Sequence, residues 1–284
     1  MDKITLASPA KINIGLNILG KRKDGFHNLE TIFYPLLLTD YLTFQKADKT
    51  SLKSNSKEIE NLKSNLVLNS VELLQKKTKK NINVEIFLEK NIPIGAGLGG
   101  GSSNAAITLK AINQLFNLKF GYKELLKLAL ELGSDVPFFL NPIPCYASSR
   151  GEVLTPINLS ISQPVLIVNP GIHISTKWAF DNLELKNNEN KLEKFKSKKS
   201  ISLDDIKHLA SNDFEEIVFK EFPEIGAIKE KLYTFGADFS LMTGTGSTVF
   251  GIFSNLQKAK RAENEFKEDN FTFLKFPVNQ GSIT

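Results

Sequence analysis

Five of the seven residues from Gly95 to Gly101 are glycine, and Ser102 and Ser103 follow directly. The alternating Ile82, Val84, Ile86, Leu88 precedes the run and an apolar segment at helical spacing follows it, so the glycines fall where a strand hands over to a helix. Lacking Cβ atoms, such a loop takes positive φ and lets the backbone come close to a ligand. The unpaired N–H groups and positive dipole end of the next helix suit a di- or triphosphate. Ser102 and Ser103 add hydroxyl donors, and Ser103 is the candidate contact for a magnesium ion. A plain glycine-rich helix entry is the competing reading.

Gly95-Ala96-Gly97-Leu98-Gly99-Gly100 formally satisfies G-x-G-x-x-G. A dinucleotide fold would place an acid about 20 residues on, where this chain has Asn117-Leu118-Lys119-Phe120. No Walker lysine follows the loop, and the protein-kinase motifs are absent from the sequence. Three further segments could share a ligand with it. Lys11 and Asn13 project from one face of an early strand, roughly 7 Å apart at about 3.3 Å per residue. Asp135 lies in Gly133-Ser134-Asp135-Val136-Pro137-Phe138-Phe139, a carboxylate where a helix ends and a buried run begins. Thr243-Gly244-Thr245-Gly246-Ser247-Thr248 is a turn between two apolar strands. Taken singly, these segments read equally as a solvated strand face, a turn cap and a hairpin.

The elements that must position these residues follow from periodicity. Residues 10–17 alternate as a half-buried strand, and a turn at Lys23-Asp24-Gly25 leads into apolar segments at 32–38 and 41–45. Residues 46–64, rich in Lys, Ser and Asn, read as a hairpin tip or surface loop. Asn65 is placed to cap a helix over 66–75. Helices are predicted from Ser102 to about Phe116 and from Lys123 to Leu132, the latter stopped by Gly133. A composition shift at 155–163 marks a boundary, giving domains 1–158 and 159–284. Beyond it, strands at 165–168, 237–242, 248–253 and 271–276 accompany helices near 176–183, 203, 213, 223–236 and 256–267. This order predicts an α+β protein of two domains, each a mostly antiparallel or mixed sheet backed by helices.

Composition narrows the class. With 284 residues, 41% hydrophobic and 24% charged, the chain is a folded globular protein rather than a disordered or fibrous one. Its single cysteine, Cys145, cannot form an internal disulfide, which points to a reducing compartment. The N-terminus lacks the apolar core of a secretory signal and no run reaches the roughly 18 apolar residues of a membrane span, so a cytoplasmic protein without a membrane partner is expected. The 36 Lys and Arg against 31 Asp and Glu leave a net charge of +5. The lysine-rich runs at 76–80 and 186–199 lack the arginines and interleaved aromatics that grip nucleic acid, so they read as solvated surface.

The motifs together resemble the GHMP small-molecule kinases. The resemblance rests on Ser8-Pro9-Ala10-Lys11-Ile12-Asn13, the 22–31 segment Arg-Lys-Asp-Gly-Phe-His-Asn-Leu-Glu-Thr, the glycine loop, the Gly133–Phe139 segment, Arg150-Gly151-Glu152, Ser175-Thr176 and the late glycine turn. It implies a two-domain kinase with its active site in the cleft between the halves, using ATP with Mg2+. It assigns Lys11 and Asp135 to catalysis. Asn65, Pro93, Gly95, Gly97, Leu98, Gly99, Gly100, Gly101, Ser102 and Ser103 would bind ATP. Asn13, Phe26, His27, Phe33, Asp135 and Thr176 would bind a small-molecule substrate carrying a cytidine group, with cytosine stacked on the aromatics. Asn104 stands where the family often has Asp, Phe26 where Tyr is common and Asn169 where Lys is common. Homoserine- or mevalonate-type kinases are the alternatives within the family, and a dinucleotide-dependent oxidoreductase or an RNA-binding module the alternatives outside it.

Overall fold

The computed structural model describes residues 2–60, 65–185 and 190–276. In chain order the elements are β1 (Lys3–Lys21), β2 (His27–Lys46), β3 (Ser51–Ser54), α1 (Lys57–Glu60), α2 (Leu66–Thr78), β4 (Val84–Glu89), α3 (Gly100–Leu115), α4 (Tyr122–Leu132), α5 (Val136–Leu140), β5 (Cys145–Ser148) and β6 (Val153–Pro156). There follow β7 (Val165–Asn169), α6 (Thr176–Asp181), a 3-10 turn (Leu192–Ser197), α7 (Leu203–Leu209), α8 (Glu215–Glu221), α9 (Pro223–Thr234), β8 (Phe239–Met242), β9 (Val249–Ile252), α10 (Leu256–Phe266) and β10 (Phe271–Lys275). The chain forms two compact units. The first gathers the segment up to Lys11, Pro35–Ile94 and Gly99–Pro142, and the second Ile12–Tyr34, Gly95–Leu98 and the chain from Ile143 onward.

In the first unit the far half of β2 pairs antiparallel with β4, Tyr41 opposite Glu89 through Lys46 opposite Val84, while β3 runs parallel to β4. The sheet is therefore mixed. Val84, Ile86 and Leu88 are buried and Glu85, Phe87 and Glu89 are not, the two-residue period of a strand with one face covered. Helix α2 begins where the Asn65 side chain accepts from the Val67 N–H (2.8 Å) and buries Val67, Val71 and Leu74, one stripe at helical spacing. It packs on α3, which also meets α4 and α5.

In the second unit the near half of β2 pairs with β5 and β5 with β6, all antiparallel. A four-stranded antiparallel sheet follows the order β10-β7-β9-β8. All five residues of β7 are buried. Phe214, Val218, Ile225, Leu232, Ala259, Ala262 and Phe266 from its helices join Leu166, Val168, Val249 and Leu274 of its strands in one apolar cluster.

The α+β architecture expected from the sequence is present, with five local corrections. Residues 46–64 are not simply a loop: β3 pairs through its backbone, which leaves no alternating apolar signature to read. Helix α3 starts at Gly100, two residues before the predicted Ser102, and the buried run after Asp135 is the short helix α5. The 10–17 strand is not half-buried. Lys11, Asn13 and Asn17 are each only 3% exposed, so its polar face is covered too. The lysine-rich segment is pinned by fully buried Leu192 and Phe195, three apart on the 3-10 turn, and the Leu192 N–H donates to the buried Glu30 carboxylate (3.0 Å). Its positions 186–189 lie outside the described residues. Among the described residues no helix is long and apolar enough to cross a membrane.

Candidate active site

Helix α3 carries the phosphate-type loop into the first unit. Its N-cap is Gly99 at φ 72°, with no side-chain cap, so the N–H groups of the first turn point outward from Gly100, Gly101 and Ser102 without intrahelical acceptors. A Cβ on Gly99 would lie 2.8 Å from Phe139 Cζ and 3.1 Å from Lys11 Cε. The lysine stem therefore runs directly beside the helix entry. One on Gly100 would meet Lys90 Nζ at 3.0 Å and Ile92 at 3.1 Å, whereas one on Gly101 would find only Leu66, at 3.9 Å. Only Gly101 thus has open space where a side chain would sit.

Lys11 Nζ lies 3.5 Å from Asp135 Oδ2, the lysine side chain 4% exposed and the aspartate 35%. Burial lowers the Lys11 pKa below its ordinary value, and the Asp135 charge pulls it part of the way back. Asp135 precedes α5 but makes no side-chain cap hydrogen bond, so the turn-cap reading of this residue is not what the structure uses. The result is a desolvated cation holding a partly open carboxylate beside a helix N-terminus.

Ser103 is fully buried. Its Oγ accepts from Ser8 Oγ (2.8 Å), Asn104 Nδ2 donates to Ser8 Oγ and to Asp40 Oδ2 (both 2.9 Å), and Asp40 also takes Lys90 Nζ (2.7 Å). The Asp40 carboxylate further accepts the N–H groups of Asn91 and Ile92, so one buried acid ties the approach to the loop to the first turns of α3. Asn104 is intelligible there: its amide donates where a second carboxylate would face Asp40. Asn65 serves as the α2 cap, Pro93 is half-buried, and Ser102 is half-buried on the first turn of α3. Among the described residues no three His, Cys, Asp or Glu side chains converge as a metal set.

In the second unit the loop residues Gly95, Gly97 and Leu98 meet the late glycine turn. A Cβ on Gly97 would stand 2.3 Å from the Thr243 carbonyl oxygen, and one on Gly244 would stand 3.2 Å from Gly97 Cα. Two backbones touch there, which is why both residues are glycine. Leu98 is 1% exposed, leaving only its backbone for a ligand. The Asn13 N–H donates to Thr243 Oγ1 (2.8 Å) and Asn13 Nδ2 to Thr31 Oγ1 (2.9 Å), so its amide is held in one orientation. Sequence reading placed Asn13 but not the Thr31 and Thr243 that aim it.

Phe26 is 50% exposed with the Arg150 guanidinium 4.4 Å over one ring face. His27 stacks on Phe180, centroids 4.8 Å apart and planes at 19°, and burial together with Lys21 lowers its pKa. Phe33 is 2% exposed and so offers a ligand little surface. Thr176 opens α6, exposed, after Ser175 caps the helix. Phe180 was missed by sequence reading, although its spacing of four from Thr176 places both on one face of α6. Cys145 is buried and its thiol is pushed up to about 12, so it is no nucleophile.

A glycine-rich helix entry beside a lysine–aspartate pair, on an α+β scaffold of this topology, defines a class of small-molecule phosphotransferase. The GHMP kinases N terminal domain model matches residues 65–141 and the GHMP kinases C terminal model residues 192–271, and this chain belongs to the GHMP kinases. Among curated relatives, the 4-diphosphocytidyl-2-C-methyl-D-erythritol kinase of Citrifermentans bemidjiense is 38% identical, the alignment covering 93% of this chain and 95% of that one. The protein of the same name from Bacteroides thetaiotaomicron is 42% identical over 86% of this chain and 90% of its own. A crystal structure of 4-(cytidine 5'-diphospho)-2C-methyl-D-erythritol kinase matches with a TM-score of 0.78 at 30% identity, covering 95% of this chain and 98% of that one. Homoserine kinase from Cytophaga hutchinsonii shares the fold, with a TM-score of 0.72 at 18% identity over 99% and 96% of the two chains.

Proposed function

We propose that this chain transfers the γ-phosphoryl group of ATP to the 2-hydroxyl of 4-diphosphocytidyl-2-C-methyl-D-erythritol, a step of the non-mevalonate route to isoprenoid precursors. The observation that carries the chemistry is the Lys11–Asp135 pair, 3.5 Å apart, with Lys11 Cε against Gly99 at the N-terminus of α3. The substrate reading draws on the relatives' names and on the Phe26 and His27–Phe180 aromatics.

Phosphoryl transfer asks a protein chiefly for alignment and charge neutralisation. The first-turn N–H groups of α3 and the glycine loop hold the ATP phosphates, with Asn65, Pro93, Ser102 and Ser103 at its margins. Asp135 accepts a hydrogen bond from the substrate hydroxyl and takes its proton as the oxygen bonds to the γ-phosphorus. The bond from that phosphorus to the β,γ-bridging oxygen breaks and ADP leaves. Lys11 holds the Asp135 carboxylate at 3.5 Å and offsets charge on the transferred oxygens. Mg2+ is a hard ion that takes phosphate oxygens and few protein ligands. It fits here as an ion carried by the nucleotide and neutralises the β- and γ-phosphates when bound, with the Ser103 side available once its hydroxyl exchanges its Ser8 partner.

Phe26 stacks on the cytosine by the face that Arg150 leaves open, His27 reads its edge, and Asn13 and Thr176 complete the substrate contacts, while Phe33 stays buried. Residues 1–158 form the N-terminal half of the family arrangement, carrying the nucleotide loop as well as Asn13, Phe26 and His27, and 159–284 the C-terminal half, which adds Thr176; the reaction belongs in the cytoplasm, with no nucleic-acid or membrane partner. Phosphorus NMR of a mixture with ATP, Mg2+ and the cytidylated substrate tests the reading. A new phosphomonoester on the 2-position beside ADP is expected. ADP with inorganic phosphate alone would overturn it.

A further inference from the structure

Gly95 stands at φ +63°, and a Cβ there would lie 2.4 Å from His173 Nδ1 and 2.9 Å from its Cε1. The edge of the imidazole occupies the space that a side chain on the loop would take. The position needs glycine for two reasons, its backbone conformation and this ring. His173 itself is exposed, and among the described residues neither ring nitrogen has a hydrogen-bond partner.

The ring is not on a loose tether. On one side, the Ile172 carbonyl accepts from Ser247 Oγ (2.6 Å), and Ser247 Oγ in turn accepts from Asn169 Nδ2 (3.1 Å). On the other, Ile174 is 3% exposed and its Cδ1 would meet a Cβ on Gly246 at 2.9 Å. The residues before and after His173 are thus pinned to the late glycine turn, which touches Gly97 of the same loop. A rigid segment therefore presents an uncommitted imidazole against the first glycine of the phosphate-type loop.

We propose that His173 is a further binding residue of this site, donating an imidazole N–H to a phosphate oxygen of a ligand lying along Gly95–Gly97. The proposal rests on the reading of that loop given under Proposed function. Two ligands carry the required chemistry, the triphosphate of ATP and the diphosphate of the cytidylated substrate. A hydrogen bond to a charged oxygen changes affinity by about tenfold or more.

The experiment compares the unaltered protein with His173→Ala and His173→Gln. A non-hydrolysable ATP analogue is titrated by calorimetry, and initial rates are measured with the cytidylated substrate varied. His173→Ala should weaken one of the two ligands about tenfold, with kcat within about twofold and an unchanged melting temperature, and the Gln amide should restore most of the loss. Weakening of the ATP analogue assigns the contact to the nucleotide, and a raised KM for the cytidylated substrate assigns it to that diphosphate. Both ligands within about twofold of the unaltered protein, or both weakened together with a lowered melting temperature, would overturn the proposal. Should the unaltered protein fail to phosphorylate the cytidylated substrate, the functional reading falls, and the calorimetric arm still decides this one.

Discussion

Lys11 shows how a single side chain carries both a cost and a use. Burial lowers its pKa from 10.5 against the pull of Asp135, so between the folded value and 10.5 the unfolded chain binds the proton more tightly. The charged form therefore lowers stability below the folded pKa, and this loss is relieved as pH rises towards 10.5. In the proposed reaction activity runs the other way, because the phosphoryl oxygens need the cation. The alkaline limb of the kcat profile should begin below 10.5 and move upward in Lys11→Arg. A limb that does not shift in that variant would separate Lys11 from the reaction. Lys11→Met should abolish most activity while keeping or raising the melting temperature, since Asp135 is 35% exposed and stays hydrated without its partner. Asp135→Asn should lower kcat by roughly 10² to 10⁴ with far less change in substrate affinity. The double variant should be much less than additive, because both residues serve one step. A loss under about fivefold for Asp135→Asn, with phosphoryl transfer shown to be rate-limiting, would demote the carboxylate to a bystander. At the substrate end, Phe26→Ala should raise the KM for the cytidylated compound about tenfold and leave that for ATP unchanged, since stacking is worth on the order of 1–3 kcal/mol per base. The reverse pattern would place Phe26 at the nucleotide.

At the scale of elements, the glycine loop was legible because five glycines before a helix have few other uses, but their separate reasons were not. Gly97 and Gly244 are glycine because two backbones meet, Gly99 because Phe139 and Lys11 fill the space, and Gly100 because Lys90 and Ile92 do. Substituting Gly100 with valine would therefore strain the fold and report on the ligand only indirectly. Gly101→Ala is the cleaner variant: the new methyl has open room and, in a helical first turn, alanine is no worse a helix former than glycine. It should keep the melting temperature and weaken ATP binding, measured by calorimetry with the analogue. Unchanged binding would remove the first turn of α3 from the phosphate site. Ser103 shows the same limit. Its type and position suggested a ligand contact, but only the fold reveals Ser8, Asn104 and Asp40 closing around it, because these residues are distant in sequence. β3 was illegible for a different reason: an edge strand that pairs through its backbone leaves no trace in side-chain period.

Over the whole molecule, periodicity was sufficient for the α+β class because the buried strands β4 and β7 and the capped helix α2 each bury a regular set of side chains. The interleaving of the chain between its units was not legible. β1 passes from one unit to the other between Lys11 and Ile12, and β2 between Tyr34 and Pro35, with no break in either strand. Composition shifts mark linkers, and a continuous strand has none. The same applies to the polar face of β1, whose Asn13 and Asn17 find partners in Thr31 and Glu30 on the neighbouring β2. Within a family whose members share this fold but act on different alcohols, the proposed function puts substrate choice on a few side chains, the exposed Phe26 and the His27–Phe180 stack. The most direct measurement is therefore kcat/KM for ADP formation with the cytidylated methylerythritol, homoserine and mevalonate side by side. The cytidylated substrate should exceed the other two by about 10² or more, because only it carries the ring that the aromatics hold. Turnover of homoserine or mevalonate at a comparable or higher kcat/KM would contradict the assignment.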